Sequence, residues 1–208
     1  MVSKVVNLCV RPFRHVFSDR SYERYYSLAK WDLKYREEKY DLSGRNEDGR
    51  YGALLQILRR YDCGTMLDLG CGDGLLWRKY RPLSDCELIG IDYSPAAVAK
   101  ANALNIPHCR FDCGDYRTFR PDQPISVVIF NESLYYIDDF LTAMRKSNEW
   151  LNEGGVVVIS MFDTLVTRRI WKKLLHDYVS LQAVTIKDHE SRRSWTIRVF
   201  PRTQPTQL

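Results

Sequence analysis

The run Thr65-Met66-Leu67-Asp68-Leu69-Gly70-Cys71-Gly72-Asp73-Gly74 limits the possible folds more than any other stretch of this chain. Met66 to Leu69 reads as a buried strand, Leu75 to Tyr80 as a helix, and glycines at 70, 72 and 74 fill the turn between them. Lacking a Cβ, glycine lets the backbone fold tightly and lets a ligand approach it. The turn fails the dinucleotide fingerprint, because the sixth position of G-x-G-x-x-G, where glycine permits close helix–strand packing, is Leu75. Asp68 precedes the first glycine by two residues, where it would repel a pyrophosphate and attract a cation. A nucleoside carrying an amino acid and a positive sulfur suits that charge better than a dinucleotide does.

From Thr65 onwards, strand and helix patterns alternate. Strands are expected at Met66–Leu69, Glu87–Ile91, His108–Phe111, Ile125–Phe130 and Val156–Met161, the last opened by Gly154-Gly155. Helices are expected near 74–80, across Ala96–Leu104 with Pro95 in the first turn, from Asp138 to Leu151, and over Val166–Tyr178. Continuous apolar strands separated by helices imply a parallel sheet covered on both faces. The closing segments, Val179–Asp188 and Ser194–Phe200, read instead as an antiparallel hairpin. Residues 1–62 show no strand pattern and read as a helical N-terminal cap or lid on a domain spanning 63–208. Ser21 is placed to cap a helix from Tyr22 towards Tyr40, Asp41 to Asn46 reads as a turn, and Arg50 to Tyr61 as a second helix. Seven of the thirteen tyrosines precede residue 65, either packing that cap onto the sheet or lining a pocket beneath it.

Composition narrows the setting. No apolar run approaches the ~20 residues of a membrane-spanning helix, and Val5 to Val10 runs straight into Arg11, Pro12 and Arg14 with no small-residue cleavage site, which reads against a signal peptide. The six cysteines form no C-x-x-C pair, so reduced, buried thiols in a cytoplasmic protein are expected, with no metal site. Residues 1–62 carry 13 basic and 9 acidic side chains, 63–162 carry 9 and 13, and 163–208 carry 9 and 4. An acidic middle between basic ends is either solvated charge or a pair of flanks that meet an anionic substrate or surface.

Three acids fall at the ends of successive strands: Asp68, Asp92 and Asp115. A carboxylate after the second strand can accept both hydroxyls of a ribose. Asp115 can accept an adenine amino group, while backbone at Tyr116 reads a ring nitrogen. Asp68 and Asp73 lie where an ammonium or sulfonium would be balanced. A lone acid at a strand end is more often a cap or turn former, but three in order beside a glycine turn favour a ligand.

The pieces Leu67 to Gly74, Gly90-Ile91-Asp92-Tyr93-Ser94, Gly114-Asp115, Ile129 to Tyr136 and Leu151-Asn152-Glu153-Gly154-Gly155 occur in one order over about residues 60–162. In these the chain resembles the class I S-adenosylmethionine-dependent methyltransferases, of small-molecule and NodS-like type. The resemblance implies a Rossmann-like, seven-stranded, mostly parallel α/β sheet with an antiparallel last strand and helices on both faces. It implies S-adenosylmethionine as cofactor and S-adenosylhomocysteine as product. Asp68, Gly70, Cys71 and Gly72 would cradle the methionyl end, Asp92 and Tyr93 the ribose, and Asp115 and Tyr116 the adenine. The Asn131 carbonyl would approach the ammonium. Ser126 departs from the acid many relatives carry at that strand's start, remote from the cofactor. Base-methylating members commonly carry an Asn/Asp-Pro-Pro-aromatic run after the fourth strand. Asn131-Glu132-Ser133-Leu134-Tyr135-Tyr136 lacks proline, which argues against base flipping and against nucleic acid as a partner.

A base is required only when the acceptor arrives protonated. Glu132 is the first candidate, with a hydrogen bond inside the turn as its alternative role. Tyr135 or Tyr136 would accept a proton or pack on a sulfonium, and His189 in the closing hairpin is a third catalytic candidate. The expected activity is transfer of a methyl group to an oxygen or nitrogen of a small, anionic or sugar-like metabolite, by a monomer or homodimer. Methylation of RNA or protein, a non-catalytic cofactor-binding partner and an aminopropyl transferase are the competing readings.

Overall fold

In the computed structural model, the described residues are 28–37, 48–61, 64–79, 86–189 and 192–203. The seven strands are β1 (Thr65–Leu69), β2 (Glu87–Asp92), β3 (Cys109–Cys113), β4 (Ile125–Asn131), β5 (Leu151–Phe162), β6 (Gln182–Asp188) and β7 (Arg193–Pro201), joined in the order β3-β2-β1-β4-β5-β7-β6. β1 to β5 are parallel, and β7 runs antiparallel to both β5 and β6. The order reverses between β2 and β4 around β1, so the switch point lies at the end of β1.

Alternation within the strands builds two cores. Met66 faces a cluster with Leu54, Ile57 and Leu58 of α2 (Asp48–Leu58) and Trp77 of α3 (Leu75–Lys79), to which α4 (Pro95–Ala103) adds Val98 and Ala101. Leu67 and Leu69 face the other cluster, with Ala143 and Met144 of α5 (Phe140–Trp150) and Ile170, Trp171 and Leu174 of α6 (Leu165–Asp177). All five residues of β1 are buried, as expected of a central parallel strand. A fully buried leucine such as Leu54 contributes roughly 1.5–3 kcal/mol of transfer free energy. The first helix among the described residues, α1 (Leu28–Arg36), rests against α4 through Asp32, whose Oδ1 accepts from Ser94 Oγ and the Ala96 amide, both at 2.9 Å.

Several boundaries move. β5 starts at Leu151, so Gly154-Gly155 lie within it, where the register with β4 shifts and Gly154 takes φ +78°. A glycine at positive φ accommodates a bulge, whereas the Gly-Gly pair in the sequence alone predicts a strand start. β3 spans Cys109–Cys113 rather than His108–Phe111, because His108 adopts φ +59° and ends a turn. The Ser21 cap, the helix before Leu28, the turn at 41–46, and Cys9 and Cys63 lie outside the described residues. Cys71 and Cys86 are buried as expected, but Cys109 is half-buried and Cys113 exposed: at the edge of the sheet, β3 has a neighbour on one side only. No helix among the described residues is long and apolar enough to cross a membrane.

Candidate active site

Asp68 points to the same face of β1 as Met66, and its Oδ2 accepts the indole N–H of Trp77 at 2.8 Å. The other oxygen, Oδ1, is buried without a hydrogen-bond partner. Burial pushes the carboxyl up to about 7 and the nearby Asp92 adds to the rise, against the lowering effect of the Trp77 bond. An orphaned buried carboxylate oxygen is costly, and a cationic group is the ligand that would satisfy it.

The turn after β1 consumes its own donors. The amides of Gly70 and Cys71 both bond the Ile91 carbonyl (2.7 and 3.1 Å), and that of Gly72 bonds Asp92 Oδ2 at 2.9 Å. A phosphate cradle needs such amides directed at the ligand; here they point into the fold, in agreement with Asp68 in excluding a pyrophosphate. The glycines are required by crowding and by backbone alike. At Gly70 (φ +84°) an added Cβ would lie 2.5 Å from Ser133 Cβ, and at Gly72 (φ +57°) 2.5 Å from the Tyr35 hydroxyl. Cys71 contributes only backbone, since its side chain is in the core and burial drives its thiol pKa well up.

At the end of β2, Asp92 holds Gly72 through Oδ2 and accepts the Ser94 amide on Oδ1 at 2.9 Å. Burial raises its pKa, while those two amides work to lower it. Each oxygen keeps a second lone pair for a hydroxyl donor. Beyond β3, Asp115 accepts from the Arg117 amide and guanidinium and from Tyr93. Burial raises its pKa, but Arg117 and Tyr93 outweigh that and the net shift is downward. Tyr116 turns its ring into the core, which leaves only its backbone at the strand end.

After β4 the chain enters a 3-10 turn, Leu134–Tyr136. Ser133 Oγ donates to the Leu69 carbonyl at 2.5 Å, tying this turn to the glycine loop. Glu132, at φ +59°, accepts on Oε1 from Ser160 Oγ (2.9 Å) and on Oε2 from Tyr135 Oη (3.0 Å) and the Phe162 amide (2.9 Å). Burial raises its pKa, with Arg50 the strongest opposing influence. Arg50 is itself buried, with Nη1 2.5 Å from Asn131 Oδ1. Tyr136 stacks tilted on Tyr135 (4.4 Å) and edge-on to Trp31 of α1 (5.1 Å).

The carboxyl edge of β1 to β4 thus gathers Asp68, Gly70, Cys71, Gly72, Asp92, Tyr93, Asp115, Tyr116, Asn131, Glu132 and Tyr136. His189 is not brought in: it is exposed in the β6–β7 turn, two to three strand spacings of about 4.8 Å from β4. Trp31 and Tyr35 reach this edge from the aromatic N-terminal segment, and Arg50, Trp77 and Ser133 border it although the sequence does not single them out. Of these three only Arg50 left a signal, as a cation in line with Leu54 and Ile57 on the buried stripe of α2.

Comparison with known proteins identifies the family and the fold. The family profile described as Methyltransferase domain matches residues 32–202. Trans-aconitate 2-methyltransferase of Enterobacter sp. (strain 638) is 32% identical over 116 residues, covering 54% of this chain and 44% of that one. The chain thus spans less than half the length of this curated relative. Among solved structures, N-methyltransferase NodS from Bradyrhizobium japonicum WM9 in complex with S-adenosyl-L-homocysteine superposes with TM-score 0.62 at 21% identity, over 89% of this chain and 98% of that one. A DhpI complex with the same product superposes with TM-score 0.63 at 19% identity, over 85% and 96%. The chain belongs to the methyltransferase domain family and carries the class I, S-adenosylmethionine-dependent methyltransferase fold.

Proposed function

We propose that the protein transfers a methyl group from S-adenosylmethionine to an oxygen or nitrogen atom of a small, anionic metabolite. The observation that carries this reading is the buried, unpartnered Asp68 Oδ1 beside a turn whose amides are already spent. That environment suits the cationic methionyl end of this cofactor and no phosphate.

When bound, the cofactor supplies an electrophilic methyl group on a positive sulfur. The protein's own work is to hold and align. Asp68 balances the positive end, and Gly70 and Gly72 give the turn beside it the positive φ and the close approach of Ser133 and Tyr35 that its shape requires. Asp92 accepts the ribose hydroxyls, and Asp115 with the Tyr116 backbone holds the adenine. The Asn131 carbonyl meets the ammonium. Trp31, Tyr135 and Tyr136 wall the acceptor side and exclude water, which favours a productive alignment. Glu132 is both anchor and base: it fixes Tyr135 through Oε2, and it takes the proton of an acceptor that arrives protonated. An anionic acceptor draws support from the name of the curated relatives, which specifies trans-aconitate, and from the basic flanks of the sequence.

Calorimetric titration with S-adenosylhomocysteine, followed by a metabolite pool incubated with methyl-labelled cofactor, tests the proposal. Binding that Asp92→Ala weakens at least tenfold, with label entering a small acid, is the expected result. Label in RNA or protein alone, or no transfer to any acceptor, contradicts it.

A further inference from the structure

The α5/α6 side of the molecule carries an amphipathic surface that the methyl-transfer site does not use. Four of the six large hydrophobic side chains exposed among the described residues lie there: Leu165 (66%), Leu175 (41%), Val179 (77%) and Leu181 (59%). On α6, Ile170, Trp171 and Leu174 face the core, and the opposite side presents Arg169, Lys172 and Lys173, together with Arg168, which is paired with Asp163 at 2.7 Å, all exposed. The helix has one acid, Asp177, at its end. Leu165, Arg169, Lys172 and His176 follow each other at helical spacing along the outer line.

The edge strand β6 extends this surface. Ala183, Thr185 and Lys187 are exposed, while Val184 and Ile186 pack towards α2. In register, Ala183 lies opposite Arg198, whose guanidinium carbon is 5.6 Å from the centre of the Trp171 ring. The exposed residues of β6 therefore share the face of the sheet on which α6 lies. Leu181, bonded through its amide to the Val199 carbonyl at 2.8 Å, continues the same alternation.

We propose that α6 and the outer side of β6 dock the protein on the surface of an anionic phospholipid bilayer. Leucines and a valine interleaved with cations are the composition of an interfacial surface: the apolar groups enter the boundary of the acyl region and the cations meet headgroup phosphates. Arg169, Lys172 and Lys173 of α6 and Lys187 of β6, all exposed, supply this charge. A two-fold contact between copies would set this basic patch against its own copy, where like charges repel. Single-stranded nucleic acid would want aromatic platforms, but Trp171 and Trp195 are buried. The occupant that satisfies both the charge and the exposed leucines is lipid.

The test is co-sedimentation of the full chain with phosphatidylcholine vesicles, alone or mixed with phosphatidylglycerol. The protein should partition onto the mixed vesicles only, and salt should weaken that binding. Each basic side chain near such a surface contributes about fivefold, so Arg169→Gln with Lys172→Gln should weaken partitioning roughly 25-fold. Leu175→Ser with Val179→Ser should also weaken it, without altering its salt dependence. Both double variants should bind S-adenosylhomocysteine as the parent does, since neither touches the cofactor edge. Four outcomes overturn the proposal: no binding to mixed vesicles, equal binding to neutral ones, binding unaffected by both double variants, or a dimer that the apolar variant dissociates in the absence of lipid.

Discussion

Asp68 answers two opposed demands. Burial holds its carboxyl at about 7, above the ~3.9 of a free aspartate. Between about pH 4 and that value the native state retains a proton the unfolded chain has released, so this group's contribution to stability is lost as pH rises through the window. Asp68→Asn, uncharged at every pH, should therefore stabilise the cofactor-free protein near pH 8 by on the order of 1 kcal/mol or more and change it little near pH 4. Calorimetry should show the reverse for function: cofactor affinity of the parent rises as pH passes 7, and the variant binds at least tenfold more weakly with a flat profile. Arg50 and Glu132 form the second test at this scale. Removing Arg50 takes away the strongest influence that opposes the burial of the Glu132 charge, at a cost of about 3 kcal/mol. Chemical denaturation should find Arg50→Leu with Glu132→Gln less destabilised than the sum of the single variants, whereas additivity would dissolve the pair. Asp68 and Asp92 were legible because a strand end and a glycine turn mark their places. Arg50 was not, since its partners Asn131 and Ser160 lie 81 and 110 residues away in sequence.

Among the elements, α1 and the glycine turn constrain each other. Asp32 caps the start of α4 and pairs with Arg36 at 2.7 Å, which holds α1 where Tyr35 stands over Gly72. In Gly72→Ala the new methyl would meet the Tyr35 hydroxyl at a backbone angle that side chains resist. Hydrogen exchange should accelerate across α1 in that variant while β1 and β4 keep their protection, and cofactor binding should fall. Exchange unchanged in α1 would mean that helix and turn are independent. Element type was readable from hydrophobic period, and the strand–helix alternation emerged as expected. Boundaries failed where one glycine signal has two meanings: Gly154 permits a bulge inside β5 as readily as it opens a strand. In the aromatic N-terminal segment, Tyr51 joins the core and Trp31 lies edge-on to Tyr136.

Across the whole molecule, sheet order turns scattered carboxylates into one site. Asp68, Asp92 and Asp115 are dispersed over nearly fifty residues, yet the order β3-β2-β1-β4 sets their strands side by side with every carboxyl end on one edge. The same order removes His189, because β5 lies between its hairpin and β4. Sequence marked the closing hairpin as antiparallel but not the insertion of β7 between β5 and β6, since local alternation carries no information on which neighbour a strand pairs with. The crystal structure of the complex with S-adenosylhomocysteine is the most direct measurement. The account predicts ribose hydroxyls on Asp92 and the methionyl ammonium facing Asp68 and the Asn131 carbonyl. A nucleoside bound away from the glycine turn, or an Asp92 that makes no contact with the sugar, would contradict it.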